Sequence, residues 1–237
     1  MIKKIEGIVV KELTYKETSK IIDVYTKKGI YSVIAKGAKR IKSPFFSGTN
    51  FLSCGEFCIY EHDGLSTLKS VDIKDSFKNI LKDIVNLSAA TYLINLATQV
   101  YKQHSDKRIY ELLLDSLKKI DANINPLGIV NILEIKLLNF LGLHLNLDNC
   151  RVCGSKDVVY LSLDHSGYLC SNCTDARMNP KILKLIKIYN NVDIDKIDKL
   201  ELDNKLLLSI NKFIDEYYEK YTGLYLKSKS FFINMLN

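Results

Sequence analysis

The spacing of apolar residues divides the chain into two parts. Over residues 1–76 the apolar positions form short runs with a period near two, separated by turn residues, which is typical of β-strands. The predicted strands cover residues 5–13, 20–26, 30–36, 51–61 and 65–73. The last two flank His62-Asp63-Gly64, an Asp-Gly signal for a β-hairpin. We therefore expect a five-stranded OB-fold β-barrel, although the adjacent apolar pair Val9-Val10 leaves a small SH3-like barrel open.

From residue 77 onward the apolar residues recur three and four positions apart, which predicts α-helices. The predicted helices run over 77–104 and 108–120, from Pro126 to a stop at Gly142, from Pro180 onward, over 203–221, and through a short last segment. Asn125 and Asn179 each precede a proline, which is the expected order of an N-cap and a first helical residue. The predicted fold class is α+β, with an OB-fold domain over residues 1–76 and a helical domain over residues 77–237.

The charge of the chain is concentrated in its N-terminal part. The chain has 237 residues, is 47% hydrophobic and carries a formal net charge of +7, which is compatible with a globular protein that has a polyanionic partner. Residues 1–80 hold 14 basic and 9 acidic side chains, a surplus of five, whereas residues 81–180 balance at 10 against 10. Lysine greatly outnumbers arginine, which favours contacts with phosphate over bidentate recognition of base edges.

Residues 24–55 contain no acidic side chain. The stretch carries six cations, which are Lys27, Lys28, Lys36, Lys39, Arg40 and Lys42. It also carries five aromatic residues, which are Tyr25, Tyr31, Phe45, Phe46 and Phe51. Cations interleaved with flat rings suit a sequence-tolerant binder of single strands, because phosphates supply the attraction and any base can stack. In a barrel, residues 37–50 form a loop at one rim, so we predict nucleic-acid binding by Lys36, Lys39, Arg40 and Lys42; a merely solvated basic loop is the alternative.

Four of the six cysteines form two C-x-x-C pairs. Cys150 and Cys153 are separated from Cys170 and Cys173 by residues 154–169, a spacing that predicts a tetrahedral four-thiolate zinc site within a ribbon-like module at 148–178. Four thiolates fill the coordination shell, so we expect one structural zinc ion with no reactive water. A redox dithiol pair is the alternative.

Other features exclude several classes of protein. Cys54 and Cys58 lie four residues apart on a predicted strand, which is too far for a disulfide, so we expect buried thiols. No catalytic triad, paired-carboxylate cleft or phosphate-binding loop is present, and we expect no enzymatic activity. The chain has neither a secretory signal nor an apolar run of the roughly 18 residues that a membrane span needs, so we expect a cytoplasmic, nucleoid-associated protein.

The order of these features resembles the RecO family of bacterial DNA repair and recombination proteins along nearly the whole chain. The resemblance is carried by Glu17-Thr18-Ser19-Lys20, Tyr25-Thr26-Lys27-Lys28-Gly29, Ala35-Lys36-Gly37-Ala38-Lys39-Arg40, Asn139-Phe140-Leu141-Gly142-Leu143 and Leu226-Lys227-Ser228-Lys229-Ser230-Phe231-Phe232. It implies an OB-fold, a helical domain with an inserted zinc module, and DNA binding at Lys36, Lys39 and Arg40; Lys42 is added because it lies beside them.

The resemblance also implies a function and partners. The expected function is that of a recombination mediator that binds single- and double-stranded DNA, anneals complementary strands and helps load RecA onto strands coated by single-strand-binding protein. The implied partners are DNA, RecR, single-strand-binding protein, RecA and, in some members, RecF. The alternatives are a zinc-ribbon adaptor that contacts only proteins and a sequence-specific duplex-binding regulator, against which the scarcity of arginine counts.

Overall fold

The computed structural model describes residues 1–236, which form a closed β-barrel followed by a helical body. The five barrel strands are β1 (Ile2–Tyr15), β2 (Ser19–Thr26), β3 (Gly29–Ala35), β4 (Cys54–Tyr60) and β5 (Leu65–Asp75). Their order is β1-β2-β3-β5-β4, and pairing of β1 with β4 closes the ring. The β3–β5 pair is parallel and the other pairs are antiparallel, which is the Greek-key arrangement of an OB-fold. The predicted OB-fold barrel is confirmed, and the SH3-like alternative is wrong.

The broken alternation of the first strand has a physical cause. Val9 faces the barrel interior, whereas the preceding Ile8 packs against the helical body. A β-bulge lies between Val9 and Lys11, so Val10 is the extra residue that shifts the register. Apolar residues therefore occur on both faces of this strand, because each face is covered.

A tyrosine of β2 joins the barrel to the helices. Tyr25 is fully buried, and its ring packs edge-on against Tyr101 and Tyr110 at centroid distances of 5.2 and 5.3 Å. Beside it, Lys27 forms a 2.8 Å ion pair with Glu111. The outer face of the barrel thus packs into the core of the helical body, while the barrel interior forms a separate core cluster. Strand β5 ends at Asp75, just before the predicted domain boundary between residues 76 and 77, and this boundary stays a prediction.

The helical body contains seven helices and a two-stranded hairpin within residues 1–236. They are α1 (Lys78–Lys82), α2 (Ile84–Gln103), α3 (Lys107–Asp121), α4 (Pro126–Phe140), β6 (Val158–Ser162), β7 (Gly167–Cys170), α5 (Pro180–Asn191), α6 (Asn204–Thr222) and α7 (Lys227–Asn234), with a 3₁₀ turn at Ile194–Lys196 between α5 and α6. Asn125 and Asn179 cap α4 and α5 as predicted, since each side chain accepts a hydrogen bond from a backbone N–H of the first turn.

The single helix predicted over residues 77–104 is wrong. Asp83 adopts an extended conformation (φ −124°, ψ 125°) that ends α1, and its carboxylate accepts a 2.8 Å hydrogen bond from the backbone N–H of Asn86. An aspartate at this position stabilises a helix start better than a helix interior. The apolar period continues through the break, and for that reason the periodicity alone did not reveal it.

The centre of the helical body contains a buried carboxylate. Glu134 of α4 is completely buried, and its Oε1 accepts a 2.5 Å hydrogen bond from the Tyr92 hydroxyl. The Lys229 ammonium of α7 contacts both Glu134 and Asp215, while Asn211 donates to Oε2 of Glu134 at 3.2 Å. Burial raises the pKa of Glu134, and Lys229 opposes that shift. This network connects α2, α4, α6 and α7 at one point.

We predict that Lys229→Met destabilises the fold by about 3–5 kcal/mol, because it leaves the Glu134 carboxylate buried without a cation. Without Lys229 the pKa of Glu134 rises further. At a pH between the glutamate pKa of the unfolded chain and this raised pKa, Glu134 is protonated in the folded variant and ionised in the unfolded chain. Stability of the variant therefore falls as the pH rises above the ordinary glutamate pKa of about 4.3. Urea denaturation at about pH 5 and about pH 8 measures this difference, because the expected loss of stability grows as the pH rises above the pKa of the unfolded chain.

The matched control is Lys227→Met, which removes an exposed charge from the same helix. This control should change the free energy of unfolding by less than about 0.5 kcal/mol. An equal loss of stability by Lys229→Met at both pH values would contradict the role assigned to Glu134.

Candidate nucleic-acid interface and metal centre

The loop between β3 and β4 is anchored at both of its ends. Near its start, the backbone N–H of Lys39 donates to the Thr18 carbonyl at 2.9 Å, and that of Gly37 donates to the Ser19 hydroxyl at 3.3 Å. Gly37 has φ +72°, a value that glycine adopts without strain, and its carbonyl accepts a hydrogen bond from Arg40. Toward the other end, the backbone N–H of Val9 in β1 donates to the Ser53 carbonyl at 2.9 Å, and that of Leu52 donates to the Val9 carbonyl at 3.0 Å. These bonds hold the loop against the β1–β2 turn and the barrel rim.

The four predicted DNA-binding cations lie on this loop, and their side chains are exposed; they are Lys36, Lys39, Arg40 and Lys42. No carboxylate within residues 1–236 forms an ion pair with any of them. By contrast, Lys20 and Lys27 are paired with Glu12 and Glu111. The loop therefore presents uncompensated positive charge to solvent, the electrostatic condition for binding a polyanion.

The structure corrects the expectation that the aromatic residues of residues 24–55 accompany these cations. Tyr25 is fully buried, Tyr31 and Phe45 pack against the barrel core, and Phe51 packs against the helical body. Phe46 is the exposed member of the five, with 42% of its surface accessible. Of the five rings, Phe46 is therefore the one that the loop itself exposes together with the cations.

A groove of about 360 Å³ lies next to the loop, and sequence reasoning missed half of it. It is lined by Tyr15, Lys16, Thr18, Ser19, Ile34, Lys36, Gly37 and Arg40. The β1–β2 turn contributes a further cation, Lys16, which precedes the Glu17-Thr18-Ser19-Lys20 motif. The pairing of β2 with β3 is the signal that locates this groove. Lys20 pairs with Ala35, so the turn before β2 and the loop after β3 meet at one rim.

The four cysteines of the two C-x-x-C pairs come together as predicted. The Sγ atoms of Cys150, Cys153, Cys170 and Cys173 all lie within 4.8 Å of one another. Four ligands at a Zn–S distance of about 2.3 Å have Sγ atoms about 3.8 Å apart, so the cluster has the size of a tetrahedral thiolate site. The Cys153 and Cys170 Sγ atoms are 3.4 Å apart, well beyond a disulfide bond, and all six cysteines are free.

The turns that present these thiols are stabilised by backbone hydrogen bonds. Gly154, with φ +77°, follows the first pair, and its N–H donates to the Cys150 carbonyl at 2.9 Å. In the second pair, Cys173 N–H donates to the Cys170 carbonyl at 3.0 Å. Burial opposes ionisation of Cys150, but the N–H groups of Cys153, Cys170 and Val152 outweigh it and lower the pKa of this thiol. The Cys153 thiol, together with burial, raises the pKa of Cys173 instead, as expected of several thiols that crowd together without a cation to balance their charge.

The cysteine module is attached to the helical body at several points. Tyr168 of β7 is buried and donates to the Leu183 carbonyl of α5 at 2.5 Å. At the hairpin turn, the Tyr221 hydroxyl of α6 donates to the Leu163 carbonyl at 2.7 Å, and Lys220 pairs with Asp164. The module's own buried cluster consists of only Cys150, Leu169 and Cys170. A metal ion would supply the cohesion that so small a core lacks.

The remaining cysteines and histidines lie outside both sites. Cys54 is buried and Cys58 is half-buried, and neither is in a disulfide, as the strand spacing predicted. His165 is exposed at the hairpin turn, where its Nδ1 lies 3.1 Å from the Ser162 hydroxyl. Within residues 1–236, no helix combines the length and the apolar character required to cross a membrane.

Comparison with known proteins identifies a family for both parts of the chain. The family model described as Recombination protein O N terminal matches residues 1–77, and the one described as Recombination protein O C terminal matches residues 81–230. Among similar proteins is the DNA repair protein RecO of Listeria innocua, which is 32% identical over 240 residues that cover 98% of this chain and 94% of the relative. The protein of the same name from Bacillus pumilus is 30% identical over 243 residues, covering 99% and 95% of the two chains.

For the cysteine cluster, we predict that the purified wild-type protein contains about one zinc ion per chain, whereas Cys170→Ser contains almost none. Loss of one buried ligand should also expose residues 148–178 to proteolysis, because the module has little apolar core of its own. Elemental analysis and limited proteolysis measure the two effects.

The control is Cys58→Ser, which removes a half-buried thiol of the barrel and should leave the zinc content unchanged. A wild-type protein without bound metal after growth in zinc-supplemented medium, or Cys170→Ser with full occupancy, would refute the assignment.

Proposed function

This chain belongs to the RecO family, and on that premise we propose that it acts in DNA repair as a recombination mediator. The proposed activity is to bind single- and double-stranded DNA, to anneal complementary strands and to help load RecA onto strands coated by single-strand-binding protein. RecR and single-strand-binding protein are the proposed partners, together with RecA and RecF. The proposed location is the cytoplasm, in association with the nucleoid.

The observation that carries the proposal is the set of unpaired cations on the loop between β3 and β4. Lys36, Lys39, Arg40 and Lys42 are exposed and have no carboxylate partner within residues 1–236, and they lie on a loop at the rim of a closed barrel. Binding to phosphates releases counterions from the nucleic acid, and this release supplies sequence-independent affinity. Lysine-rich contacts of this kind do not distinguish between bases, which suits a protein that must act at any damaged site.

Annealing by such a surface requires no chemical step. Two complementary strands repel each other because both carry dense negative charge. A cationic rim that neutralises the phosphates of one strand lowers this repulsion and leaves the Watson–Crick edges of its bases free to pair. The proposed activity is therefore non-enzymatic.

The cysteine cluster has a structural role in this proposal. Cys150, Cys153, Cys170 and Cys173 would hold one zinc ion, which fixes the hairpin of β6 and β7 against α5 and α6. Because four thiolates complete the coordination shell, the ion has no open position for a substrate.

We predict that the variant Lys36→Gln, Lys39→Gln, Arg40→Gln anneals complementary oligonucleotides at least tenfold more slowly than the wild-type protein. If about 4–6 phosphates are contacted, the affinity of the wild type for single strands falls with a log–log salt slope of about −3 to −4, and the variant has a flatter slope. Fluorescence-detected annealing and anisotropy titrations at several salt concentrations measure the two quantities, with a condition in which single-strand-binding protein coats the strands.

The matched control is Lys181→Gln, Lys184→Gln, Lys205→Gln. It removes the same formal charge from exposed positions on α5 and α6 and should behave as the wild type. Equal loss in both variants would mean that net charge alone is responsible and would contradict a local site. A wild-type protein that does not bind DNA at low salt would favour the protein-only adaptor.

A further inference from the structure

We propose that the groove between the β1–β2 turn and the β3–β4 loop holds one unpaired nucleotide, with its base on Tyr15 and its phosphate between Lys16, Lys36 and Arg40. This inference rests on the proposed function and deepens it. It makes Tyr15 the residue by which the rim favours single strands over duplex.

The groove combines the two surfaces that a nucleotide requires. Tyr15 and Ile34 contribute apolar surface, while Lys16, Lys36 and Arg40 contribute three positive charges and no carboxylate lines the groove. Its volume of about 360 Å³ lies at the lower end of the range of small-ligand sites, as expected for a single nucleotide unit. None of the three cations forms an ion pair within residues 1–236, so their charge is available to a phosphate.

The walls of the groove are fixed in advance of binding. The two hydrogen bonds from the loop to Thr18 and Ser19 join the segments that carry its opposite sides. The strands behind them are also paired, since Lys20 lies opposite Ala35 in the β2–β3 ladder. A groove that needs no rearrangement loses less free energy to ordering when a strand enters it.

The backbone at Lys16 is the most unusual feature of the groove. Lys16 has φ +54°, in the left-handed region that residues other than glycine rarely adopt. In this conformation its Nζ lies over one face of the Tyr15 ring, 5.5 Å from the centroid. A base that stacks on this face takes the place of the ammonium, which then moves to the attached phosphate, so one position serves both parts of a nucleotide. Strained positions of this kind are often retained where they orient a functional side chain.

The geometry predicts that Tyr15 and the cations affect different ligands. Phosphates are accessible on single strands and on duplexes alike, so the cations serve both. A base in a duplex is stacked on its neighbours and would have to leave the helix to reach Tyr15, which costs a few kcal/mol. Stacking on Tyr15 therefore adds affinity only for strands with unpaired bases.

The test compares binding of a labelled oligothymidine and a labelled blunt-ended duplex of two annealed strands, which has no unpaired base, by Tyr15→Ala, Tyr15→Phe, Lys16→Asn and the wild-type protein, using anisotropy titrations over a range of salt. Tyr15→Ala should lose between about 5-fold and 150-fold in affinity for oligothymidine, with an unchanged salt slope and unchanged duplex affinity. Tyr15→Phe keeps the ring and should bind as the wild type. Lys16→Asn, which tolerates the left-handed conformation, should lower the slope for oligothymidine by about 0.7.

Tyr60→Ala is the matched control. Tyr60 is 41% exposed and has Lys69 Nζ 5.6 Å from its ring centroid, but it lies outside the groove. It should bind both ligands as the wild type does, and thermal melting of all variants verifies that they are folded. Oligothymidine binding by Tyr15→Ala at wild-type strength would overturn the inference and leave the proposed function intact.

Two further results would also overturn the inference. A parallel loss of oligothymidine and duplex affinity by Tyr15→Ala would show that the ring does not discriminate between them. A loss by Tyr15→Phe equal to that of Tyr15→Ala would assign the effect to the hydroxyl. Failure of the wild-type protein to bind either ligand would instead remove the proposed function and the inference together.

Discussion

Burial of the barrel from two sides is the constraint on which the rest of the structure depends. Its interior is filled by its own apolar residues, and part of its outer surface is covered by the helical body through Ile8, Tyr25, Leu52 and Cys54. Surface covered by helices is not available to a ligand. The rim, where the β1–β2 turn meets the β3–β4 loop, remains open, and the unpaired cations are located there. Packing thus leaves the proposed binding surface at one edge of the barrel.

Shared burial also explains what could and could not be predicted from the sequence. Strand period, the Asp-Gly hairpin and the two C-x-x-C pairs depend on neighbouring residues, and these predictions are confirmed for the barrel and for the closeness of the four cysteines. Whether the aromatic residues are buried or exposed depends instead on tertiary contacts. Tyr25 resembles a stacking residue by its place among lysines, yet the helices that cover it come from a distant part of the chain.

At the candidate site, too, the sequence does not reveal contacts between distant parts of the chain. Lys36, Lys39, Arg40 and Lys42 are adjacent in the chain, so their cluster is visible in the sequence. Lys16 joins them only because the β2–β3 ladder brings the two ends of those strands to one rim, and its left-handed backbone is a property of the folded turn. Likewise, the break at Asp83 follows from a capping hydrogen bond that competes with a continuous apolar period. Local patterns identified the charges, but topology was needed to find the groove.

The contact between Lys229 and Glu134 has a consequence for biosynthesis. The two residues lie 95 positions apart, so the ribosome synthesises the carboxylate well before the lysine. Until then α4 holds a carboxylate that has no cation to neutralise it, so closing the nascent helical body around it costs free energy. A product truncated before α7 would remain incompletely folded and open to proteases. Synthesis of α7 is in this way linked to completion of the core.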